Sequence, residues 1–231
     1  MNEIATASAK KPISHHVKKV FRKSHDPLWQ VQLAIIAILV LQGFTNHSFL
    51  PVNKWLIIIV ESILLIGLVA ATSEGYQKES RSRRNIVVSL VFIIAAINIF
   101  SLFFLVKSLL FGQSGLEGRG LLLSGLVIYI TNVLVFSLLY WEIDGGGPDA
   151  RVANRRRRDF LFTQMAHPQH SIANWLPGYI DYLFVSIMTV TFTSSGTSPI
   201  THRVKLLMVL QSLVSILTMA LVLARAVSIL Q

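Results

Sequence analysis

Charged side chains within apolar stretches are the first candidates for chemistry, because a charge in hydrocarbon is costly and needs a reason to be there. Glu61 lies in the middle of the run I-I-I-V-E-S-I-L-L, and Lys107 lies near the end of another apolar run. Two interpretations stay open. Glu61 and Lys107 form an ion pair inside the membrane, or Glu61 relays a proton or a cation.

Uncharged polar side chains also occur in apolar runs, at Asn98, Asn132 and Thr189. Mid-span amides usually form hydrogen bonds between helices, so we expect Asn98 and Asn132 to hold helices together. A transport path predicts that such groups line a water-accessible route together with Glu61. A scaffold predicts that they are buried and fully paired.

A third group of polar residues follows Trp141 in the segment Y-W-E-I-D-G-G-G-P-D-A-R. Glu142 and Asp144 at a helix C-terminus oppose the macrodipole, so we expect a cation, Arg151 or one of the Arg155–Arg158 run, to compensate. The alternative is a cytosolic acidic site for a cation, although two carboxylates without a third ligand do not make a hard-metal site.

The chain carries no recognisable catalytic or cofactor motif. The three glycines after Asp144 lack the strand–loop–helix setting of a phosphate cradle, so nucleotide binding is not expected. The chain contains no cysteine. We therefore expect no enzyme activity, no bound metal and no cofactor.

The elements that position these residues are six apolar segments. The chain is 53% hydrophobic and 14% charged, whereas soluble domains are about 25% charged. Segments near 20 residues long are typical of membrane-spanning helices. The sequence predicts an all-α polytopic bundle of six transmembrane helices: Leu28–Phe44, Trp55–Thr72, Ile86–Phe111, Leu121–Trp141, Tyr179–Thr193 and Leu206–Leu230.

Lysine and arginine set the predicted topology. Six lie in the N-terminal tail, four between the second and third segments, and five in the Glu142–Asn174 loop. The alternate loops carry one, one and two. By the positive-inside rule, both termini are predicted to be cytoplasmic. The predicted regions are a basic tail (1–27), four helices (28–141), a basic loop (142–174) and a C-terminal hairpin (175–231).

The basic residues also indicate partners. Arg155, Arg156, Arg157 and Arg158 form a charge run that is typical of a solvated patch touching anionic lipid headgroups. Nucleic acid is not expected, because the positive charges lie in loops between apolar runs. Further copies of the same chain, in a homo-oligomer, are the other class of partner considered.

The C-terminal hairpin, Asp181 to about Arg225, resembles the pore helix, filter and inner helix of potassium channels: D-Y-L-F-V-S-I-M-T-V-T, then a Gly and a Pro, then a long helix. Such pores replace the hydration shell of an ion with backbone carbonyls. The counterpart of the filter here is T-V-T-F-T-S-S-G-T-S-P. It keeps Gly196 but not the T-x-G-Y-G pattern, so the hydroxyls of Thr189, Thr191 and Thr193 would have to serve instead.

The arginine count favours a different arrangement for this hairpin. A pore helix starts outside the cell, but the loop before Tyr179 carries five arginines and is predicted to be inside. Tyr179–Thr193 is therefore expected to be a short spanning helix with its outer end at Thr193–Thr201. In that arrangement Asp181 either pairs with Arg225 near the cytoplasmic face, is solvated at the interface, or bonds the Arg155–Arg158 run.

Several stretches of the last hundred residues resemble a bacterial family of uncharacterised multi-pass integral membrane proteins. They are Y-W-E-I-D-G-G-G-P, D-F-L-F-T-Q-M, W-L-P-G-Y-I-D-Y-L and K-L-L-M-V-L-Q-S-L-V-S. The resemblance implies an inner-membrane location and no particular activity. The sequence is interpreted as a channel or transporter for ions or small solutes. The alternative is a non-transporting scaffold or lipid-associated protein.

Overall fold

A computed structural model describes residues 28–44, 55, 59–60, 62–63, 66, 81–111, 118–152, 157–166 and 175–230. The described part is mostly helical. Its helices are α1 (Leu28–Phe44), α2 (Arg81–Phe111), α3 (Gly118–Ile143), α4 (Pro148–Val152), α5 (Thr163–Ala166), α6 (Tyr179–Val190) and α7 (His202–Leu230). A 3-10 turn covers Asp144–Gly146, and two short strands, β1 (Phe160–Leu161) and β2 (Ser198–Pro199), pair antiparallel.

Three of the described helices are long and apolar enough to cross a membrane. Their apolar spans are Asn85–Ser108 in α2, Gly120–Gly146, which covers most of α3 and the 3-10 turn, and His202–Ser228 in α7. Two shorter apolar helices accompany them, Trp29–Leu41 within α1 and Tyr179–Val190. The predicted all-α class is confirmed for the described residues. Most of the second predicted segment, Trp55–Thr72, lies outside them.

Helix α3 is the centre of the bundle, because α1, α2, α6 and α7 all pack against it. It runs antiparallel to α7: Asn132 on α3 bonds Ser215 on α7, and Gly125 lies against Val222 one to two turns further along. A Cβ atom at Gly125 would lie 2.7 Å from Val222 Cγ2. A residue without a side chain therefore permits the close approach of these helices, as is common in membranes.

The C-terminal half of α3 is buried in an apolar cluster. Ile35 and Ile38 of α1 and Leu90 and Ile94 of α2 pack there against α3. The cluster continues into aromatic rings: Phe160 of β1 lies edge-to-face with Tyr140 and with Tyr182, with ring centroids 5.3 and 5.9 Å apart. Apolar packing thus fixes β1 to the end of α3.

The end of α3 depends on its glycines. Gly145 has φ of 60°, a left-handed conformation that L side chains rarely adopt. The N–H of Gly147 donates to the Asp144 carbonyl at 3.1 Å. This tight turn stops the helix and leaves the Asp144 side chain pointing into the protein, where it is 0% exposed.

Helix α6 and the chain that follows it differ from the predicted spanning helix. Tyr182, in the first turn of α6, bonds Asp144 at the end of α3, and Ser186 bonds the Val133 carbonyl near the middle of α3. Val190 ends the helix one turn later. At 1.5 Å per residue, α6 is about 18 Å long, which is too short to cross the hydrocarbon.

The chain after α6 then returns to the end from which α6 started. The N–H of Ile200 donates to the Asp159 carbonyl at 2.8 Å, and β2 pairs with β1. Helix α7 therefore begins beside Asp144 and runs along α3 in the same direction as α6. The expectation that both termini lie on one side required Tyr179–Thr193 to cross, and this geometry does not provide that crossing.

Candidate functional site

The candidate site is the stretch Thr191–Thr201, here called the return segment, together with the helix end that it caps. The N–H groups of Phe192 and Thr193 donate to the carbonyls of Thr189 (3.3 Å) and Met188 (2.9 Å). This is the Schellman pattern of a helix C-terminus, which normally places Gly in the left-handed position. Here that position is Phe192, with φ of 56° and a side chain 62% exposed. Backbone strain of this kind often marks a functional segment.

The hydroxyls around this helix end share one property. Thr189 donates to the Val185 carbonyl at 2.8 Å, and Thr191 donates to the Ile187 carbonyl at 2.9 Å. Thr193 donates to the Thr191 carbonyl at 3.3 Å. Each hydroxyl proton is thus directed at a protein carbonyl, and Thr191 and Thr193 are exposed whereas Thr189 is buried. The C-terminal end of a helix also carries partial negative charge, so this end of α6 favours a cation.

Asp144 connects the helix end to the loop that follows. Its Oδ1 accepts the N–H groups of Asp159 (2.6 Å) and Phe160 (3.1 Å). Its Oδ2 accepts the Tyr182 hydroxyl at 2.6 Å and lies 3.6 Å from Arg158 Nη1. A cation from the predicted Arg155–Arg158 run thus reaches Asp144. Three hydrogen-bond donors and the nearby Arg158 guanidinium thus compensate the buried carboxylate, as a charge in such a place requires.

Asp159 continues the connection to the return segment. Its Oδ2 accepts the N–H of Gly145 at 2.9 Å, and its Oδ1 accepts the Thr201 hydroxyl at 2.7 Å. Asp144 and Asp159 are here called the carboxylate clamp. Each carboxylate accepts a backbone N–H from beside the other: Asp144 from Asp159 and Phe160, and Asp159 from Gly145. The clamp joins three pieces of chain: the end of α3, strand β1 and the start of α7.

Arg151 completes this corner. Its Nη1 donates to the carbonyls of Asp144 (3.1 Å) and Trp141, two acceptors at the C-terminal end of α3. Its guanidinium carbon lies 5.0 Å from the Tyr182 ring centroid and 5.7 Å from that of Trp141. Both Trp141 and Glu142 are buried. Arg151 therefore supplies the positive charge that the macrodipole requires at this helix end.

The acidic corner does not resemble a metal site. Among the residues that the structure describes, no group of three His, Asp or Glu side chains lies close enough together to hold a metal ion. The Asp144 and Asp159 oxygens are instead occupied by protein N–H and O–H donors. The corner is organised to hold the chain rather than a ligand.

A second set of polar contacts, here called the polar seam, joins α3, α6 and α7 inside the bundle. Asn132 Nδ2 donates to Ser215 Oγ at 2.9 Å and to the Gln211 carbonyl at 3.3 Å. Gln211 Oε1 accepts the Tyr140 hydroxyl at 2.6 Å, and its Nε2 donates to Ser186 Oγ at 2.7 Å. All five side chains are buried. The seam fixes the register of the hairpin on α3.

The remaining polar candidates from the apolar segments lie apart from the return segment. Asn98 is buried and donates to the Ile128 carbonyl at 3.3 Å, which joins α2 to α3 in the interhelical manner expected. Lys107 is exposed, with Nζ 6.0 Å from the Phe104 ring centroid. Glu61 lies outside the described residues, so its proposed pairing with Lys107 stays a prediction.

Asp181 and Arg225 lie at different ends of the hairpin. The Asp181 carboxylate accepts the N–H of Gly178 at 2.7 Å and so caps the start of α6. Arg225 Nη1 donates to Ser228 Oγ at 3.2 Å, near the far end of α7. Since α6 and α7 both start beside Asp144, about 30 Å of helix separates the two side chains along the bundle. The geometry is incompatible with the expected pair.

Gly196 and its neighbours close the exposed part of the return segment. The Gly196 carbonyl accepts the Thr163 hydroxyl at 2.8 Å, and Gly196 has φ of 69°. A Cβ atom at Gly196 would lie 2.8 Å from Thr163 Oγ1. Glycine is therefore required there both by its conformation and by the close contact with α5.

Comparisons with known proteins do not assign the chain to a family. No family model, no curated protein and no solved structure matches the chain.

Proposed function

We propose that the chain is an integral membrane protein of the bacterial inner membrane that conducts ions or small solutes along its C-terminal hairpin. The exposed surface supports the membrane location. Large apolar side chains are exposed along the whole of α7, among them Leu206 (70%), Val209, Leu213, Leu217, Leu223 and Val227. A soluble protein rarely exposes so extensive an apolar face, whereas lipid covers it at no cost.

The observation that carries the proposal is the level at which α6 ends. Its last residues lie beside the middle of α3, and the exposed, irregular backbone of Thr191–Gly196 follows directly. Non-helical backbone at membrane depth is tolerated only where protein buries it or where it lines a water-filled cavity. A half-helix that ends at mid-membrane with unwound chain is the usual construction of an ion or substrate path.

The chemistry of this helix end favours a cation. The α6 C-terminus carries partial negative charge, and the exposed hydroxyl oxygens of Thr191 and Thr193 lie at this same helix end. Backbone carbonyls and hydroxyls of this kind replace the water around a cation in selective pores. This arrangement agrees with the resemblance of Asp181–Arg225 to a potassium-channel pore region, with threonine hydroxyls in place of the missing glycines.

A single chain leaves one side of the return segment exposed. Lipid cannot satisfy the polar groups there, so further copies of the chain would have to enclose the path. The functional unit in this proposal is therefore a homo-oligomer. Anionic headgroups are its other partner, at the arginine run of which Arg157 is exposed.

The non-transporting scaffold is the second candidate, and one observation favours it. Asn98, Asn132 and Thr189 are buried and each makes a protein hydrogen bond, although Asn132 Oδ1 accepts none in the described part of the chain, so the full pairing that a scaffold predicts is met in part. Those side chains accordingly belong to the support of the hairpin rather than to a path. Transport in this proposal rests on the exposed part of the return segment, at Thr191 and Thr193.

Flux into liposomes tests the proposal. Purified protein reconstituted into liposomes should conduct K⁺ or Rb⁺ in preference to Cl⁻. Replacing both Thr191 and Thr193 by Val keeps the side-chain shape and removes the oxygens. We expect cation flux to fall about tenfold, which corresponds to about 1.4 kcal/mol of lost stabilisation of the ion in the path.

The matched control is Ser89→Ala, which removes one exposed hydroxyl from α2. It should leave the flux unchanged. Wild-type protein that elutes as a single folded species and conducts neither ions nor a neutral solute such as glycerol would refute transport and favour the scaffold.

A further inference from the structure

We infer that the hairpin opens towards the cytoplasm and that α7 leads from the cytoplasmic face to the opposite face, so that its C-terminal end lies outside. The inference rests on the membrane location in the proposed function and adds the side from which the path is entered. It is the reverse of an arrangement in which the return segment opens to the outside.

The described helices define two ends of the bundle. Because α3 runs antiparallel to α2 and α7, the Asp144 end of α3 lies with the starts of both helices, and its Gly118 end lies with their C-terminal ends. The return segment reaches the Asp144 end through the bond from Ile200 to Asp159. The mouth of the hairpin and the start of α7 are therefore at the Asp144 end.

The basic residues of the described part are distributed very unequally between these ends. Eight belong to the Asp144 end: Arg81, Arg83, Arg84, Arg151, Arg157, Arg158, Arg203 and Lys205. Three belong to the Gly118 end: Lys107, Arg119 and Arg225. Lysine and arginine near helix ends are retained on the cytoplasmic side, whereas acidic residues contribute little to orientation. The Asp144 end is therefore the cytoplasmic one.

The return of the chain after α6 sharpens this distribution. In a six-span arrangement Arg203 and Lys205 would be two basic residues on the outer side. The bond between Thr201 and Asp159 places them instead beside Arg157 and Arg158. The same contact that makes α6 a half-helix thus moves two basic residues to the cytoplasmic end and leaves three at the Gly118 end, which strengthens the positive-inside pattern.

This orientation places the entrance of the proposed ion path on the cytoplasmic side. The exposed residues Thr193 and Ser194 are reached from the cytosol through a mouth that carries Arg203 and Lys205. The basic rim lies at the level of lipid headgroups, where such side chains contact anionic lipid. An ion then meets the α6 C-terminus only after it has entered the membrane from the cytoplasmic side.

Single cysteines test the orientation, because the chain contains none. Three variants report three places: Ser198→Cys at the mouth, Ser228→Cys near the end of α7, and Thr193→Cys at the α6 C-terminus. A membrane-impermeant thiol reagent is applied to spheroplasts and to inside-out vesicles, and only variants that elute like the wild type are compared.

We expect Ser198→Cys to react in inside-out vesicles only and Ser228→Cys to react in spheroplasts only. Reaction of Ser198→Cys in spheroplasts only would overturn the orientation. Reaction of both on the same side of the membrane would also overturn it, because α7 would then not lead from one face to the other.

Thr193→Cys separates this inference from the proposed path. Reaction in inside-out vesicles supports both. Reaction in spheroplasts alone would overturn the cytoplasmic entry while leaving a path. If Thr193→Cys reacts in neither preparation while Ser198→Cys and Ser228→Cys behave as expected, the orientation holds and the water-filled path is refuted.

Discussion

The hydrogen bond from Tyr182 to Asp144 offers the most direct test of how the hairpin is held. Tyr182→Phe removes a 2.6 Å bond to a buried carboxylate and leaves the ring packing intact. Bonds to charged groups contribute about 1.5–3 kcal/mol. Asp144 keeps two backbone N–H donors and Arg158, so we expect a loss near the lower limit of about 1.5 kcal/mol.

Asp144→Asn should cost more. It leaves Arg158 without its charge partner and places an NH₂ group where the carboxylate accepted two donors, so we expect a loss of about 3 kcal/mol. Because the two residues share one bond, the loss of unfolding free energy in the double variant should be smaller than the sum of the two single losses by about 1 kcal/mol. Reversible unfolding in detergent, followed by tryptophan fluorescence, measures the three free energies.

Tyr179→Phe is the matched control. Its hydroxyl shares a 2.9 Å bond with Ser137, a neutral partner. Combined with Asp144→Asn, it should be additive within about 0.5 kcal/mol. If the coupling of Tyr182 to Asp144 is no larger than that of the control, the carboxylate clamp does not hold α6 in the way the distances indicate.

Three further substitutions test the remaining contacts. Gln211→Leu should lower the free energy of unfolding by about 1–2 kcal/mol, because it leaves the buried Tyr140 hydroxyl without its acceptor and removes the donor to Ser186 Oγ; Leu213→Ala, at an exposed site on the same helix, should change it less. Gly125→Ala should cost about 1–3 kcal/mol, since the added Cβ would lie 2.7 Å from Val222 Cγ2, and Val222→Ala in the same chain should recover part of that loss in the same unfolding assay. Phe192→Gly should raise the unfolding midpoint, with a gain of about 1 kcal/mol, because it relieves a φ of 56°; a lower midpoint would show that the Phe192 side chain makes stabilising contacts.

The long helices could be predicted from hydropathy, and their ends could not. The predicted third and sixth segments start at Ile86 and Leu206, whereas the helices start at Arg81 and His202. Hydropathy marks the part of a helix that lies in hydrocarbon. Arginine and lysine are good helix formers, so the basic residues before each apolar run extend the helix beyond that run without changing the apolar signal.

The direction of the chain after α6 could not be predicted by counting basic residues. The count assumes that each apolar segment crosses the membrane once, so it places the two ends of Tyr179–Thr193 on opposite sides. The length of the segment was the available signal, since 15 residues are fewer than the ~20 that span a bilayer. The contact that decides the question joins Thr201 to Asp159, 42 residues apart, and a single sequence carries no signal for such a pair.

The site residues followed the same division. Asp144 and Arg151 could be identified, because anions at a helix C-terminus call for a nearby cation. Asp159, Tyr182 and Gln211 were missed as partners. Gln211 alone carried a local signal, an amide within the apolar run K-L-L-M-V-L-Q-S-L-V-S. Such a residue in a transmembrane helix usually bonds a neighbouring helix, as Gln211 does here.

The placement of polar groups explains why this hairpin needs so many hydrogen bonds. Inside a bilayer, apolar side chains pack about as well against lipid as against a neighbouring helix. Apolar packing alone would therefore stabilise the contact of the 12-residue α6 with α3 only weakly. Directional bonds supply the preference: Tyr182 to Asp144 at one end of α6 and Ser186 to Gln211 nearer the other. With both ends fixed, the strained turn at Phe192 is held in place by the surrounding structure. The bonds of Tyr182, Ser186 and Gln211 thus support the turn that carries the exposed Thr191 and Thr193, and a second layer of contacts of this kind is what the proposed ion path would require.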